Sequence, residues 1–389
     1  MTDQATTYAV QSLAKAAEKQ LQPTLKLLRE MVEIESPSDD KAAVDRCVSF
    51  VAGKCTALGG RVRIHRQKTF GDLLDARFGP KKNKQKPTLL LGHLDTVWPL
   101  GTLKDMPFRE AKGRVWGPGV LDMKAGVAMA LTAIAILKEQ QRLNRPIVML
   151  LVSDEEIGST VSRPVTEKIA SACEAVYVLE PAQGLAGAYK TARKGVGNYS
   201  VRVQGVAAHS GVDFERGHSA IVELARQIER ITAFTELDRG ITVNVGTVQG
   251  GTRSNVIAAE AHAEVDVRIA KAKDTQRIEK HFRSLRVFDN KCSLHVEGGL
   301  NRPPMERTRG TIALYQQAAA YANTLGFTLD EAATGGGSDG NFTSALGVPT
   351  LDGMGAVGEG AHATHESLLL EHVAPRTALL AAMLAGARE

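Results

Sequence analysis

Three short apolar runs constrain this chain more than any other feature. Pro87–Gly92 (PTLLLG), Pro146–Ser153 (PIVMLLVS) and Ala175–Leu179 (AVYVL) are bounded and rich in branched side chains. Such runs offer no polar face to water, so they read as strands buried on both sides, the mark of a sheet covered by helices. Each is followed at once by metal-competent residues: His93 and Asp95, then Asp154, Glu155 and Glu156, then Glu180. Open α/β sheets place ligands at the carboxyl ends of their strands, so these side chains are predicted to meet in one crevice.

The rest of the chain arranges itself around that centre. Residues 4–35 carry apolar positions such as Leu13, Ala16, Leu21, Leu25 and Leu28 near helical spacing, which predicts one or two helices. ESPSDD at 35–40 interrupts them, and a further helix is expected over 41–58. The Ala-, Leu- and Ile-rich segment 121–142 reads as a helix packed on the sheet. Beyond residue 195 the texture changes. Tyr199–Val203, Ile241–Val248, Ala261–Ile269 and Ser293–Val296 alternate like half-exposed strands, with helical stretches at 218–233 and 274–286 between them. That pattern predicts an α+β module spliced into an α/β one. A helix at 308–325, a Gly-rich turn, a strand at 347–351 and a helix at 373–387 complete the chain. The expected domains are 1–194 and 306–389 as two parts of one unit, and 195–305 as the insertion.

Composition excludes several function classes. A net charge of +5 over 389 residues is too dilute for a polyanion-binding surface, so no nucleic-acid partner is expected. Hydrophobic content of 43% with 23% charged residues excludes wholesale disorder. The longest apolar-rich stretch, Val127–Leu137, is too short to span a bilayer, so no membrane partner is expected. The opening MTDQATTYAVQSLAKAAEKQ lacks the apolar core of a secretory signal, which predicts a cytoplasmic protein, or a periplasmic one if a signal has been trimmed. Cys47, Cys55, Cys173 and Cys292 fall in no CxxC or zinc-finger spacing and read as buried or idle thiols. The charged run Lys81–Lys86 reads as a solvated turn before a strand.

Taken singly, the candidate residues have ordinary roles. Asp122, after Gly117–Pro118–Gly119, suits a helix cap; Glu155 and Glu156 suit a surface; Glu180 precedes Pro181 in a loop. His362 lies among small residues, and His93–Leu94–Asp95 is a weak motif alone. Together they differ. Two imidazoles and three or four carboxylates, most of them at strand ends, form the nitrogen and oxygen set that suits Zn²⁺, with Co²⁺ or Mn²⁺ as substitutes. One carboxylate can bridge two cations, and a pair about 3.5–4 Å apart lowers the pKa of a shared water and polarises a carbonyl. Hydrolysis also needs a base that is not a ligand. Glu155 and Glu156 supply both functions, one side chain facing metal and the other water, and their adjacency leaves open which is which.

These residues lie in segments that resemble the M20 family of metallopeptidases, most closely its glutamate carboxypeptidase (carboxypeptidase G2-like) branch. The segments are LLLGHLDTVWPLGT (89–102), RVWGPGVLDMKAGVAMAL (114–131), LLVSDEEIGS (150–159) and VLEPA (178–182). GVAAHSG (205–211), GGTRSNVIAAEAHAEVDVR (250–268), GGGSDGNF (335–342) and GAHATHE (360–366) follow in family order, so the likeness covers nearly the whole chain.

The resemblance implies an α/β, zinc-exopeptidase-like catalytic domain with a central mixed sheet flanked by helices, plus an inserted α+β (ferredoxin-like) dimerisation and lid domain. It implies two zinc ions per subunit, one on His93, Asp122 and Glu180, the other on a bridging Asp122, Glu156 and His362. His362 is selected over His365 because the family ligand stands four residues before a Glu, here Glu366. Asp95 would orient His93, and Glu155 would act as general base and then acid. His209 in AAHSG matches a histidine that polarises the substrate carbonyl from the partner subunit of a homodimer. Asn255 in TRSNVIAAE matches an amide that assists substrate binding. Arg302 in LNRPP stands where the branch keeps an arginine for the substrate's free carboxylate. Its surroundings depart from the branch pattern, so an arginine at a loop rim is the alternative. Gly336, in Gly335–Asp339, belongs to a turn that lets substrate approach the backbone, and the turn lacks the GKS/T ending of a phosphate loop.

The function these implications favour is a dizinc amidohydrolase. It would release a C-terminal amino acid, glutamate or similar, from peptides, folates or N-acyl amino acids. Glu180 favours this choice, since the family places Glu here in carboxypeptidases and deacylases and Asp more often in aminopeptidases. An N-acyl-amino-acid deacylase of the acetylornithine or succinyl-diaminopimelate type shares the same catalytic residues. A non-catalytic metal-binding dimer is the alternative of another kind, and the presence of every ligand together with Glu155 weighs against it.

Overall fold

The computed structural model describes residues 2–80 and 84–386, so Lys81, Lys82 and Asn83 of the charged turn lie outside the described residues. The three apolar runs form the strands Thr88–His93, Ile147–Val152 and Ala175–Val178, every residue of them buried. They pair in parallel, with His93 opposite Val152, and Leu91 opposite Leu150 and Val178. Thr350–Leu351 extends one edge in parallel, while Leu73–Phe78 and Arg61–His65 extend the other antiparallel. The result is a mixed six-stranded sheet.

Alternate residues of the same strands feed two separate cores. Leu90, Met149, Leu151 and Tyr177 face a cluster that includes residues of the helices Ala125–Glu139 and Val373–Ala385. Leu89, Leu91, Val148, Leu150 and Val176 face another with Ile169 and Ala170 of the helix Arg163–Ala170. Apolar burial on both faces explains why these strands show no alternation in the sequence.

The expected helix at 121–142 begins later, at Ala125. Val120–Lys124 forms a wide turn in which Asp122 (φ −110°, ψ 95°) and Met123 (φ −132°, ψ 31°) are not helical, and the Asp122–Met123 peptide is cis. The N-cap position of the helix is Lys124, with no side-chain cap hydrogen bond, so the capping role suggested for Asp122 is not filled by it. A Cβ on Gly126 would stand 2.1 Å from the Leu179 carbonyl oxygen, so only glycine lets this helix start so close to the strand end before Glu180. Turn and helix together, Val120–Glu139, are long and apolar enough to cross a bilayer, which corrects the length argument made from Val127–Leu137. Its most apolar window is 89% buried inside the protein, which is the position of a core helix.

Arg61–His65, an edge strand, and Leu73–Phe78, paired on both sides, escape sequence reading because both mix charged and apolar residues. So does a small sheet of Arg109–Ala111, Arg114–Trp116, Ser367–Leu369 and Gly358–Glu359, whose strands are only two or three residues long.

Residues 193–306, with 335–337, form a second compact unit. Its antiparallel strands run in the order Thr242–Gly250, Glu260–Ile269, Gly195–Gln204, Ser293–Arg302. With the helices Ala220–Thr232 and Thr275–Arg283 the chain order is β-α-β-β-α-β, the ferredoxin-like arrangement. Burial alternates along Gly195–Gln204, so Tyr199, Val201 and Val203 pack with Leu224, Ile231 and Phe282 on one face. All four cysteines are free and buried.

Candidate metal centre

Strand register delivers the first residues of the site. His93 ends its strand opposite Val152, and Glu155 and Glu156 open a short turn just past that partner strand. Glu180 lies two residues beyond Val178. His93 Nδ1 lies 2.9 Å from the main-chain oxygen of Asp95, which makes Nδ1–H the donor and leaves Nε2 facing the carboxylates. His93 Nε2 is 3.3 Å from Asp122 Oδ1 and 3.6 Å from Glu180 Oε1. The other oxygen of Asp122, Oδ2, is 3.4 Å from His362 Nε2, which is 3.1 Å from Glu156 Oε2.

Two ligand groups result, each with atoms within 4.8 Å of one another: His93, Asp122 and Glu180, and Asp122, Glu156 and His362. Among the described residues these are the two clusters of this kind, and they share Asp122. His93 Nε2 and Asp122 Oδ1 are buried and make no hydrogen bond. Leaving such atoms unsatisfied costs about 1–3 kcal/mol each, a cost that a cation held between them removes. One imidazole and two carboxylates per group also match a catalytic zinc site, which keeps a position open. The residues fit a pair of divalent cations.

Electrostatics point the same way. Burial opposes charge on His93, yet Asp122, Asp95 and Glu180 hold its imidazole well above the ordinary value. Burial pushes Glu156 up to about 7 despite His362 beside it. Asp122 and Glu156 raise His362 to about 10. Asp122 is held low, against its burial, by His362 and His93. Without cations, protons on the imidazoles balance the carboxylates.

Asp95 faces His93 with two groups. Its carbonyl oxygen, not its carboxylate, makes the close contact with His93, the carboxylate Oδ1 being 3.5 Å from Nδ1. The carboxylate accepts from Ser38 Oγ at 2.7 Å and from the backbone N–H groups of Glu155 and Glu156 at 3.4 and 3.2 Å. Asp95 thereby ties the first strand end to the second. Glu155 is half-buried and belongs to neither ligand group, and His365 also lies outside both.

In the sequence, Glu366 serves only as the landmark that selects His362. Its buried carboxylate accepts from Trp98 Nε1 and from the backbone of Gly119, Leu121 and Asp122. A Glu closing GAHATHE was the available signal, but its partners are backbone groups that no motif reveals.

The second unit carries the remaining candidates. His209 is exposed, and its Nδ1 accepts from the Gly211 N–H at 3.2 Å, so the neutral ring carries its proton on Nε2. Asn255 is exposed on the adjacent segment, joined by Ser210 N–H to Asn255 O and Ile257 N–H to Ala208 O. Arg302 is buried, with Nη1 3.3 Å from Asn301 Oδ1. Gly336 is exposed, and the carbonyls of Gly336 and Gly337 accept from Arg193 Nη1.

Fold and ligand set together define a metal-dependent hydrolase, and comparison with known proteins agrees. The chain belongs to peptidase family M20/M25/M40, whose model matches residues 89–386. It is 29% identical over 380 residues to carboxypeptidase G2 from Pseudomonas sp. (strain RS-16), covering 96% of this chain and 91% of that protein. Similar solved structures include a tripeptidase from Staphylococcus aureus, with TM-score 0.78, 22% identity and coverage of 94% of this chain and 98% of that one. The M20 family metallo-carboxypeptidase Sso-CP2 from Sulfolobus solfataricus gives TM-score 0.76, 18% identity and coverage of 93% and 98%. At those identities the two structures speak for the fold.

Proposed function

We propose that the chain is a dizinc amidohydrolase. It would release a C-terminal amino acid, glutamate or a similar residue, from a peptide, folate or N-acyl conjugate. The observation that carries the reading is Asp122, which turns one carboxylate oxygen towards each of two ligand groups. His93 and Glu180 complete one group, Glu156 and His362 the other, with Co²⁺ or Mn²⁺ as substitutes for zinc. When bound, such a pair lowers the pKa of a water and polarises the scissile carbonyl.

The protein's own residues supply the proton chemistry. Glu155 takes a proton from the attacking water as its oxygen bonds to the carbonyl carbon, then delivers it to the nitrogen as the C–N bond breaks. Asp95 sets the backbone of Glu155. His209 of a second copy donates its Nε2–H to the carbonyl oxygen, and Asn255 assists binding beside it. Arg302 takes the substrate's free carboxylate, and Gly336 leaves room for it. The homodimer that this requires is part of the proposal, and the identity with carboxypeptidase G2 favours the carboxypeptidase form.

A mass-spectrometric screen of folates, dipeptides and N-acyl amino acids with the zinc-loaded protein tests the reading. Release of glutamate from a folate or peptide is expected. Turnover confined to acetyl or succinyl amino acids would replace it with the deacylase reading, and no turnover of any class would leave a metal-binding dimer.

A further inference from the structure

Glu366 has no solvent exposure, yet it carries more well-placed donors than any single role in packing needs. Oε1 accepts from the backbone N–H of Leu121 at 2.8 Å and of Asp122 at 3.0 Å. Oε2 accepts from Gly119 N–H at 2.9 Å and Trp98 Nε1 at 2.8 Å. Four donors match the roughly four lone-pair sites of an ionised carboxylate. Leu121 and Asp122 lie in the turn that holds Asp122 outside helical geometry, and Gly119 directly precedes it.

The other end of this anchor is the loop of His362. Gly358–Glu359 pairs with Ser367–Leu369, and that strand pairs in turn with Arg114–Trp116, which leads through Gly117–Gly119 into the Asp122 turn. Within the loop, Ala363 N–H reaches Gly360 O and Glu366 N–H reaches Ala363 O, both at 2.8 Å, while His362 takes a left-handed φ of 63°. One carboxylate thus ties the loop bearing His362 to the peptide N–H of Asp122.

We infer that Glu366 is a positioning residue: it sets the spacing between Asp122 and His362 and so the affinity of the site they share. The inference rests on the dizinc reading above. Glu366→Gln keeps the shape but turns an NH₂ towards backbone N–H groups, so two donors lose their acceptor. Trp98→Phe removes one donor and leaves the bonds to Leu121 and Asp122 intact.

The test titrates Zn²⁺ against a chromophoric chelator in the full chain, at a temperature where circular dichroism shows each variant folded. Glu366→Gln should weaken the more loosely held zinc by about 10–100-fold, the effect typical of residues that orient ligands. Trp98→Phe should lower the melting temperature but keep zinc affinity within about threefold of the parent. If Glu366→Gln does not fold, Glu366→Asp, which keeps the charge but cannot span both donor pairs, should show the same zinc loss. Parental affinity in a folded Glu366 variant overturns the inference alone. So does equal zinc loss in Trp98→Phe, or failure of both Glu366 variants to fold. A parent chain that binds no zinc overturns the dizinc reading first, and this inference with it.

Discussion

His93 Nε2 and Asp122 Oδ1 face each other across 3.3 Å, both buried and neither hydrogen-bonded. A cation between them relieves both. Exhaustive chelation should therefore abolish turnover and lower the melting temperature, and zinc should restore both. A site loaded at a hundred times its Kd adds about 2.7 kcal/mol to stability. A melting temperature indifferent to chelation and zinc would contradict the site.

The metal-free protein should lose stability as pH rises. Glu156, raised by burial to about 7 from 4.5, and His362, raised by Asp122 and Glu156 to about 10 from 6.5, hold more protons folded than unfolded. Their contribution is complete below the unfolded values and is lost through 4.5–7 and 6.5–10 respectively. Asp122, held low, acts oppositely and only in acid. Melting temperatures of chelated protein should fall from pH 5 to 9. Those of zinc-loaded protein should not, because metal binds the deprotonated ligands.

Glu155→Ala should keep both metals by elemental analysis while kcat falls by about 10²–10⁴. Glu155 lies outside both ligand groups, so metal loss is not expected to accompany the rate loss. Unchanged turnover would remove Glu155 from the mechanism.

Arg376 tests the fold beneath Glu180. Fully buried, it donates to the carbonyls of Gly355, Gly187 and Gly353 at 3.0, 2.8 and 2.8 Å and lies 4.6 Å over the Tyr189 ring. Gly355 N–H in turn donates to Glu180 O. Arg376→Ala strands three buried acceptors and should cost about 3 kcal/mol or more in urea unfolding. Lysine should rescue little, since one ammonium cannot span the three carbonyls. A change under about 0.5 kcal/mol would refute this account.

The proposed contribution of His209 across a dimer can be measured by subunit mixing. His209→Ala and Glu155→Ala chains, each inactive alone, should regain part of the parental activity after exchange, because some mixed dimers hold one intact site. If exchange is demonstrated and activity stays absent, the shared site is wrong.

The sequence alone determined the buried strands, because a run apolar on both faces has few other places to go. It also determined the change of texture near residue 195 and the identities of His93, Asp122, Glu156, Glu180 and His362 as ligand types. Only the tertiary structure decided how they act together. Asp122 faces two groups because its turn is not helical, and Asp95 reaches the Glu155–Glu156 backbone with its carboxylate while its carbonyl oxygen holds His93. Glu366 anchors the Asp122 turn through N–H groups, and Arg376 grips carbonyls near Glu180. Every residue but proline carries such an N–H, and every residue such a carbonyl, so their use leaves no trace in residue identity. Side-chain chemistry is written in the sequence; which backbone groups it meets is settled when distant segments pack.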